Sequence, residues 1–565
     1  MDGFERVNPQ TTIHVKDSLQ HIKLLRFHRP SVHRMPGPGG ELHRRAGRHG
    51  HDHHYELRAT FQRPTLDPSA SAAEEETPPP DLLSYVPPEL ISIILSHLDL
   101  RDLAYLAATC RSLWCDAPTS PPLPPPGLVE TELRQRAAER GLHIGSSLSK
   151  TALSPVPYLL KLAFLDVFRR QAPLAVGDSH NLYVDGNGTL LTCGSESGGQ
   201  LLYAVDPDAD PEADREIVSP TRVPSMQGMR IVSVATSGAH CLALSAEGEV
   251  YSWGKGEFGS LGQADRGAPA VPSRIETLSH IERVAVGTHT SAAVDEKGRL
   301  YTWGKAFERD RFGHAAGPSG LGYALDPGTD CQPSPTRVDA LSQERVVGVA
   351  LGYGFTLAVT DAGAVFSFGD GMNGVLGHGS VVSEVLPRRI KALAETGRRF
   401  VAVAAGNYHS LALTEGGEVY WCGYERAIGH GHVEHTPQRV AALAGERVEL
   451  VYAQGISSCA VTEQGELFTW GASQFGQLGH GHGLLSVQPT PKRVESLSHV
   501  KVAAVALGSH RTLVADVDGV VWGLGERSAL GLGAADDTLP GGSGGQRTPI
   551  PNLRVRGPLN RAVGP

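Results

Sequence analysis

Long apolar runs are missing from this chain of 565 residues, and none approaches the ~20 consecutive apolar residues that a membrane-spanning helix needs. The amino terminus carries Asp2 and Glu5 and no apolar core segment, unlike a secretory signal. Excess positive charge is missing as well. The 51 Lys and Arg stand against 60 Asp and Glu, a net charge of −9, which argues against a surface built to coat nucleic acid. Cysteine is scarce, with 7 residues (Cys110, Cys115, Cys193, Cys241, Cys331, Cys422, Cys459) that are scattered, odd in number and without metal-ligand spacing. They read as reduced thiols. No Walker loop, nucleophile elbow or isolated Asp/His/Ser set occurs, so no catalytic residue, metal ligand or cofactor is expected. Together these absences point to a soluble protein, cytoplasmic and/or nuclear, that binds without catalysing.

Glycine, by contrast, is abundant at 67 residues, and its placement is periodic. A first marker precedes a blade-ending glycine by 17 residues (194 − 177) in seven places: Gly177 and Gly194, Ser237 and Gly254, Gly287 and Gly304, Gly352 and Gly369, Gly406 and Gly423, Gln454 and Gly471, Gly508 and Gly525. A third glycine always falls six residues before the second (194 − 188): Gly188, Gly248, Gly298, Gly363, Gly417, Gly465 and Gly519. Between the markers, two short runs of β-branched and small apolar residues flank a turn such as Ala246-Glu247-Gly248, a hairpin signal. A Pro-x-Arg-Val or Pro-x-Arg-Ile closes most units, as at Pro220–Val223, Pro335–Val338, Pro387–Ile390, Pro437–Val440 and Pro491–Val494. Each unit therefore reads as a small antiparallel sheet. One such sheet cannot bury its own faces, and seven arranged radially make a closed β-propeller.

The pattern fits neither the WD40 nor the kelch signature. It resembles the regulator of chromosome condensation repeat, whose Gly-x-x-His-Ser, Asp-Gly-x-Val-Tyr-x-Trp-Gly and Gly-Gln-Leu-Gly-x-Gly elements correspond here to residues 406–413, 248–254 and 476–481. The resemblance covers roughly residues 172–555.

Upstream, residues 1–80 are rich in His, Arg and Pro with little hydrophobic periodicity, and read as a disordered tail. Its Arg48-His49-Gly50-His51-Asp52-His53-His54 could chelate a metal, but nothing fixes ligand geometry. Residues 81–116 read as a compact all-α module. Pro87 and Pro88 suit a helix start, Leu90, Ile94 and Leu98 share an apolar face, and Asp99 can cap a second helix carrying Leu103, Leu106 and Cys110. This stretch resembles an F-box through Val86-Pro87-Pro88-Glu89, Ile94, Leu98, Asp102-Leu103, Cys110-Arg111 and Trp114, with Val86 where the motif has leucine. The resemblance implies docking of a Skp-type adaptor and, through it, a cullin complex, by Val86, Pro87, Leu90, Ile94, Leu98, Leu103 and Trp114. A Pro-rich spacer and two helical stretches follow in 117–171, the second expected to pack on the propeller, and 556–565 is a short carboxy-terminal tail.

The expected fold is thus mainly β: a seven-bladed β-propeller preceded by a small all-α F-box module and a disordered tail. Three residues after each first marker stand His180, His240, Thr290, Phe355, His409, Ser457 and Arg511. A position that drifts through a repeat reads as packing rather than catalysis. Unit-specific features are the better candidates for target binding: Arg309, Arg311 and Phe312 in the loop inserted at 307–330, and Arg511. The resemblances imply the substrate-recognition subunit of a Skp/cullin/F-box ubiquitin ligase, with the propeller binding an unknown protein. The alternative is a guanine-nucleotide exchange factor, or a non-catalytic scaffold for a small GTPase or chromatin partner. Light sensing, which this family supports through Trp and Arg at the two positions after the marker, is disfavoured, because neither residue occurs at those positions here.

Overall fold

The computed structural model describes residues 12–13, 42–43, 57–59, 172–195, 201, 216–267, 271–309, 315–318, 320–326, 328–424, 433–481, 486–525 and 548–554. The chain divides into two units, residues 1–161 and 162–565. In the first, within the stretch expected as a tail, three short strands pair antiparallel in the order Thr12–Ile13, Leu57–Ala59, Leu42–His43. The expected helical module at 81–116, with Val86, Pro87, Leu90, Ile94, Leu98, Leu103 and Trp114, lies outside the described residues, as do 117–171 and 556–565.

The second unit is built from seven four-stranded antiparallel sheets, each with its strands in sequence order. Blade 2 is representative: Ile231–Thr236, His240–Ser245, Val250–Gly254 and Ser273–Arg274. The first strands are Leu174–Val176, Ile231–Thr236, Ile281–Val286, Val346–Leu351, Phe400–Ala405, Val448–Gln454 and Val502–Leu507. Each touches the first strand of its neighbours, and the last touches the first, so the ring is closed. Blade 7 takes its outer strand, Thr548–Arg554, from its own stretch of chain. No blade is completed by the opposite terminus.

The spacing of 17 is now explained. The blade-ending glycine pairs directly with the residue three after the first marker, as in His180 with Gly194 and His409 with Gly423. At Gly254, φ is +99° and a Cβ would lie 2.7 Å from the Ala239 carbonyl oxygen; at Gly194 the corresponding distance is 2.2 Å. Both the conformation and the close approach demand glycine. The turn glycine ties blades together, because its carbonyl accepts the first strand N–H of the next blade: Ile231 to Gly188, Val346 to Gly298, Val502 to Gly465.

Among the described residues there is no central core. Hydrophobic clusters fill the seams between blades instead, each drawing residues from both sides. In the second strand of blade 2, Cys241 and Ala243 face blade 1, while Leu242 and Leu244 face blade 3. Strands buried on both faces read as continuous apolar runs, and this accounts for the lack of clean alternation in the sequence. At the outer edge, the Val or Ile of Pro-x-Arg-Val/Ile is buried, and a single helical turn follows whose own apolar residue packs beneath the blade: Val223 with Met226, Val338 with Leu341, Ile390 with Leu393. Blade 2 has the same latch in Pro272-Ser273-Arg274-Ile275, a copy that the sequence reading passed over.

Candidate interaction face of the propeller

In every sheet, the connections between strands one and two and between strands three and four emerge at the same end. The first-marker loops of neighbouring blades also touch: a Cβ on Gly177 would lie 2.7 Å from the Ser237 carbonyl oxygen, and one on Gly406 would lie 2.9 Å from that of Gly455. One face therefore gathers all seven marker loops together with the long third connections.

The recurring position just below this face is a circumferential clasp. His180 Nε2 lies 2.8 Å from Thr236 Oγ1 and 3.3 Å from Cys241 Sγ. His240 Nε2 lies 2.7 Å from Ser291 Oγ, and His409 Nε2 lies 2.7 Å from Ser458 Oγ. In each case the partners belong to the next blade. Ser291 Oγ donates to the Ser260 carbonyl, so it accepts from His240, which places the imidazole proton on Nε2. All three rings are enclosed. Burial lowers His180 and His240 to about 3 and His409 to about 4, with Arg511 adding to the effect at His180 and His289 at His240. They are neutral hydrogen-bonding posts, out of reach of any solute.

Arg511 occupies this same position in blade 7. Its Nε donates to Asn181 Oδ1 at 2.9 Å, and its Nη2 to the Asp178 carbonyl at 3.2 Å, both in blade 1. Only 1% of Arg511 is exposed. The structure thus moves Arg511 from the expected target-binding set into the ring closure, because its guanidinium is consumed by blade 1 acceptors. Thr290, Phe355 and Ser457 make no such bond across the seams after blades 3, 4 and 6, and Thr512 Oγ1, opposite Ser457, has no partner. The polar residues that receive the clasp, Asn181, Ser291 and Ser458, were missed from sequence. Their signal was a small polar or Cys residue one place after the recurring position in all seven units: Asn181, Cys241, Ser291, Thr356, Ser410, Ser458 and Thr512.

Above the clasp, the two residues after each marker differ from blade to blade: Asp178-Ser179, Gly238-Ala239, Thr288-His289, Tyr353-Gly354, Asn407-Tyr408, Gly455-Ile456 and Ser509-His510. Three aromatic groupings result. Tyr353 and Tyr408 have ring centroids 6.0 Å apart, Phe475 and His510 4.2 Å, and Phe258 and His289 5.3 Å, with Lys305 Nζ 5.1 Å from the Phe258 ring. Phe258 holds φ +59°, a left-handed conformation costly for a bulky residue, and this turns its half-buried ring toward the face. In blade 3 the expected loop forms a hairpin, Phe307–Arg309 with Ala315–Pro318, that rises from this same face and places Arg309 opposite Ala315. Arg311 and Phe312 lie outside the described residues. Trp253, Trp303 and Trp470 are fully buried in the seams, and Trp303 Nε1 donates to the Ser260 carbonyl. Among the described residues no group of three or more His, Cys, Asp or Glu is placed to hold a metal ion.

Comparison with known proteins agrees with this geometry. The family description "Regulator of chromosome condensation (RCC1) repeat" matches residues 247–294, 362–413 and 464–515, and a second version of that repeat matches 231–260; none of these ranges reaches 81–116. The chain is 38% identical over 355 residues to the E3 ubiquitin-protein ligase HERC2 of Homo sapiens, a match that covers 61% of this chain but 7% of that protein. It is 32% identical over 290 residues to the ultraviolet-B receptor UVR8 of Arabidopsis thaliana, covering 50% of this chain and 62% of the receptor. To the mitochondrial RCC1 domain-containing protein RUG3 of the same plant it is 32% identical over 358 residues, covering 60% and 75%. Among solved structures, Prp20p of Saccharomyces cerevisiae superposes with a TM-score of 0.53 at 22% identity, covering 69% of this chain and 89% of that one; its structure is described together with binding to Gsp1p and histones.

Proposed function

The chain belongs to the regulator of chromosome condensation (RCC1) repeat family, and from that premise we propose that its propeller is a non-catalytic protein-binding module that grips its partner with the face carrying the marker loops. One observation carries this reading: beneath that face four of the seven recurring positions, His180, His240, His409 and Arg511, are spent on inter-blade bonds, whereas on it the residues after each marker change in every blade. A symmetric frame with an asymmetric rim is a recognition device. The half-exposed Tyr353, Tyr408 and Phe258 are residue types that carry binding energy at protein interfaces. Photo-crosslinking tests it. A benzophenone side chain at Tyr408 in the full chain is expected to trap a discrete protein adduct in cells, and one at Lys391, on the opposite face, is not. Equal adducts from both positions, or none from Tyr408, would refute the assignment.

Two finer readings name the partner. Guanine-nucleotide exchange on a small GTPase draws support from the fold shared with Prp20p and its binding to Gsp1p. It requires that this chain accelerate release of labelled GDP from a GTPase. The ubiquitin-ligase receptor reading draws on the F-box-like text at 81–116 and requires that a Skp-type adaptor co-purify with the chain. Charged residues at Leu90, Ile94 and Leu98 together should abolish that co-purification and leave the propeller's thermal unfolding unchanged.

A further inference from the structure

Repeat symmetry serves as an internal control for one part of the interaction face. In most blades the fourth strand bulges beside the blade-ending glycine, where three of its residues pass one residue of the third strand. In blade 4 the register runs from Ser367–Arg388 to Gly369–Glu384, so 385–387 stand out. The equivalent three residues are Val218-Ser219-Pro220 in blade 1, Pro333-Ser334-Pro335 in blade 3, His435-Thr436-Pro437 in blade 5 and Pro489-Thr490-Pro491 in blade 6. Blade 4 alone among these carries two large aliphatic residues, Val385 and Leu386, exposed at 42% and 54%.

The connection leading into that strand adds Met372, Val381 and Val382, exposed at 46%, 55% and 63%. The backbone gathers them into one surface. Gly371 N donates to Ser383 Oγ at 3.1 Å, and a Cβ on Gly371 would lie 2.3 Å from the Val382 carbonyl oxygen, so the two ends of the loop lie side by side. Gly379 N donates to the His435 carbonyl at 2.8 Å, which seats the loop on the outer strand of blade 5 near exposed Val433. Of the nine exposed large hydrophobic residues among the described ones, six are in this patch. Singly exposed aliphatic residues need no explanation; a concentration at one seam does.

We propose that this patch at the outer rim of blades 4 and 5 docks a short apolar peptide segment of the partner protein with an acidic residue at its flank, an inference that rests on the protein-binding reading above. Size selects a segment over a globular surface or a second copy of the chain. Six half-exposed aliphatic side chains present on the order of a few hundred Å², short of the roughly 800 Å² that each partner contributes to a stable protein–protein interface. Charge selects the flank. The Glu384 carboxylate is taken up by Arg388 Nη1 at 2.6 Å, while exposed Arg389 has no ion-pair partner among the described residues. At the Val385-Leu386 end of the patch the charge left open is therefore cationic, whereas Glu434, beside Val433 at the other end, is half-buried.

A phage-displayed random-peptide library panned against the full-length chain tests this. Enriched peptides are expected to share two or three large apolar residues and an acidic one. Their affinity should fall at least tenfold for the V382S/L386S double variant and measurably for Arg389→Glu, with thermal unfolding unchanged, because all three positions are exposed. If no peptide is enriched, or if enriched peptides bind the double variant as tightly as the parent, the inference fails. Peptides lost instead with Tyr353→Ala would overturn the patch and leave the protein-binding reading standing. A parent chain that sediments as a dimer, with V382S/L386S a monomer, would assign the patch to a second copy and overturn the peptide.

Discussion

Arg511 and Asn181 lie 330 residues apart in the chain, yet the guanidinium Nε of one donates to the amide oxygen of the other at 2.9 Å, inside the seam where blade 7 meets blade 1. Around them Leu174, Val176, Tyr183 and Cys193 of blade 1 pack on Ala504, Ala506, Leu513, Ala515 and Val521 of blade 7. On the face above, Ser509 Oγ donates to Asp178 Oδ1 at 3.1 Å. The ring is closed by side chains.

Replacing Arg511 with Met should therefore cost more than a buried side chain of that size would suggest, because Asn181 Oδ1 and the blade 1 carbonyls lose a charged donor. A loss of about 2–4 kcal/mol is expected from urea unfolding. In a double-mutant cycle with Asn181→Ala, a coupling above about 1 kcal/mol is expected, and strict additivity would show that the clasp carries no energy of its own.

Acid should destabilise the propeller well before its carboxylates protonate. His180 and His240 sit at about 3 and His409 at about 4 in the fold, against 6.5 for a free imidazole. Below pH 6.5 the unfolded chain takes up protons that the folded chain refuses. Stability is therefore complete above that pH and declines as pH falls toward 4, by about 1.4 kcal/mol per pH unit for each ring. Urea midpoints at pH 7.5, 6.0 and 5.0 would follow it. A triple His→Gln variant should flatten the slope, and an unchanged slope would mean the rings are not its source.

Two glycine-to-alanine changes should separate conformation from collision. At Gly254 a Cβ meets both a positive φ and the Ala239 carbonyl oxygen at 2.7 Å; at Gly228, with φ +87°, it meets nothing within 4 Å. Gly228→Ala should cost about 1 kcal/mol for backbone strain, and Gly254→Ala several times that. Equal losses of melting temperature would contradict the steric account of the 17-residue spacing.

The seam between blades 6 and 7 should respond oppositely from the seam between blades 2 and 3. Thr512 Oγ1 is buried without a partner, so Thr512→Val is expected to be neutral or stabilising. Ser291→Ala removes a hydroxyl that both accepts from His240 and donates to Ser260, and should cost about 1–3 kcal/mol. Equilibrium unfolding of the two variants side by side decides the point.

The repeat was legible because glycine is irreplaceable where the chain turns with positive φ against a carbonyl, and seven such positions cannot drift. Blade number, the antiparallel sheet of each unit and the packing role of the buried tryptophans all followed from that constraint. The function of the recurring histidines was half legible. Their drift to Thr, Phe, Ser and Arg signalled packing, but their partners in the next blade belong to a register that only folding brings together. Arg511 misled for the same reason. An arginine that departs from a histidine consensus reads as a surface specialisation until the first and last blades are seen to meet. The apolar rim of blade 4 was invisible because Val381-Val382 and Val385-Leu386 look like strand text, and exposure depends on a bulge that a single sequence does not declare.

Because every blade is spun from one uninterrupted stretch of chain, the covalent break between the last blade and the first has no special standing among the seven junctions. Linking residue 555 to residue 172 through a spacer of about five residues, to match the eight that join Arg222 to Ile231, and opening the chain at the exposed connection before Phe400 would yield a circular permutant with the same seams. For the same reason a blade is a complete cassette, one that gene duplication can add or remove without orphaning a strand elsewhere in the ring.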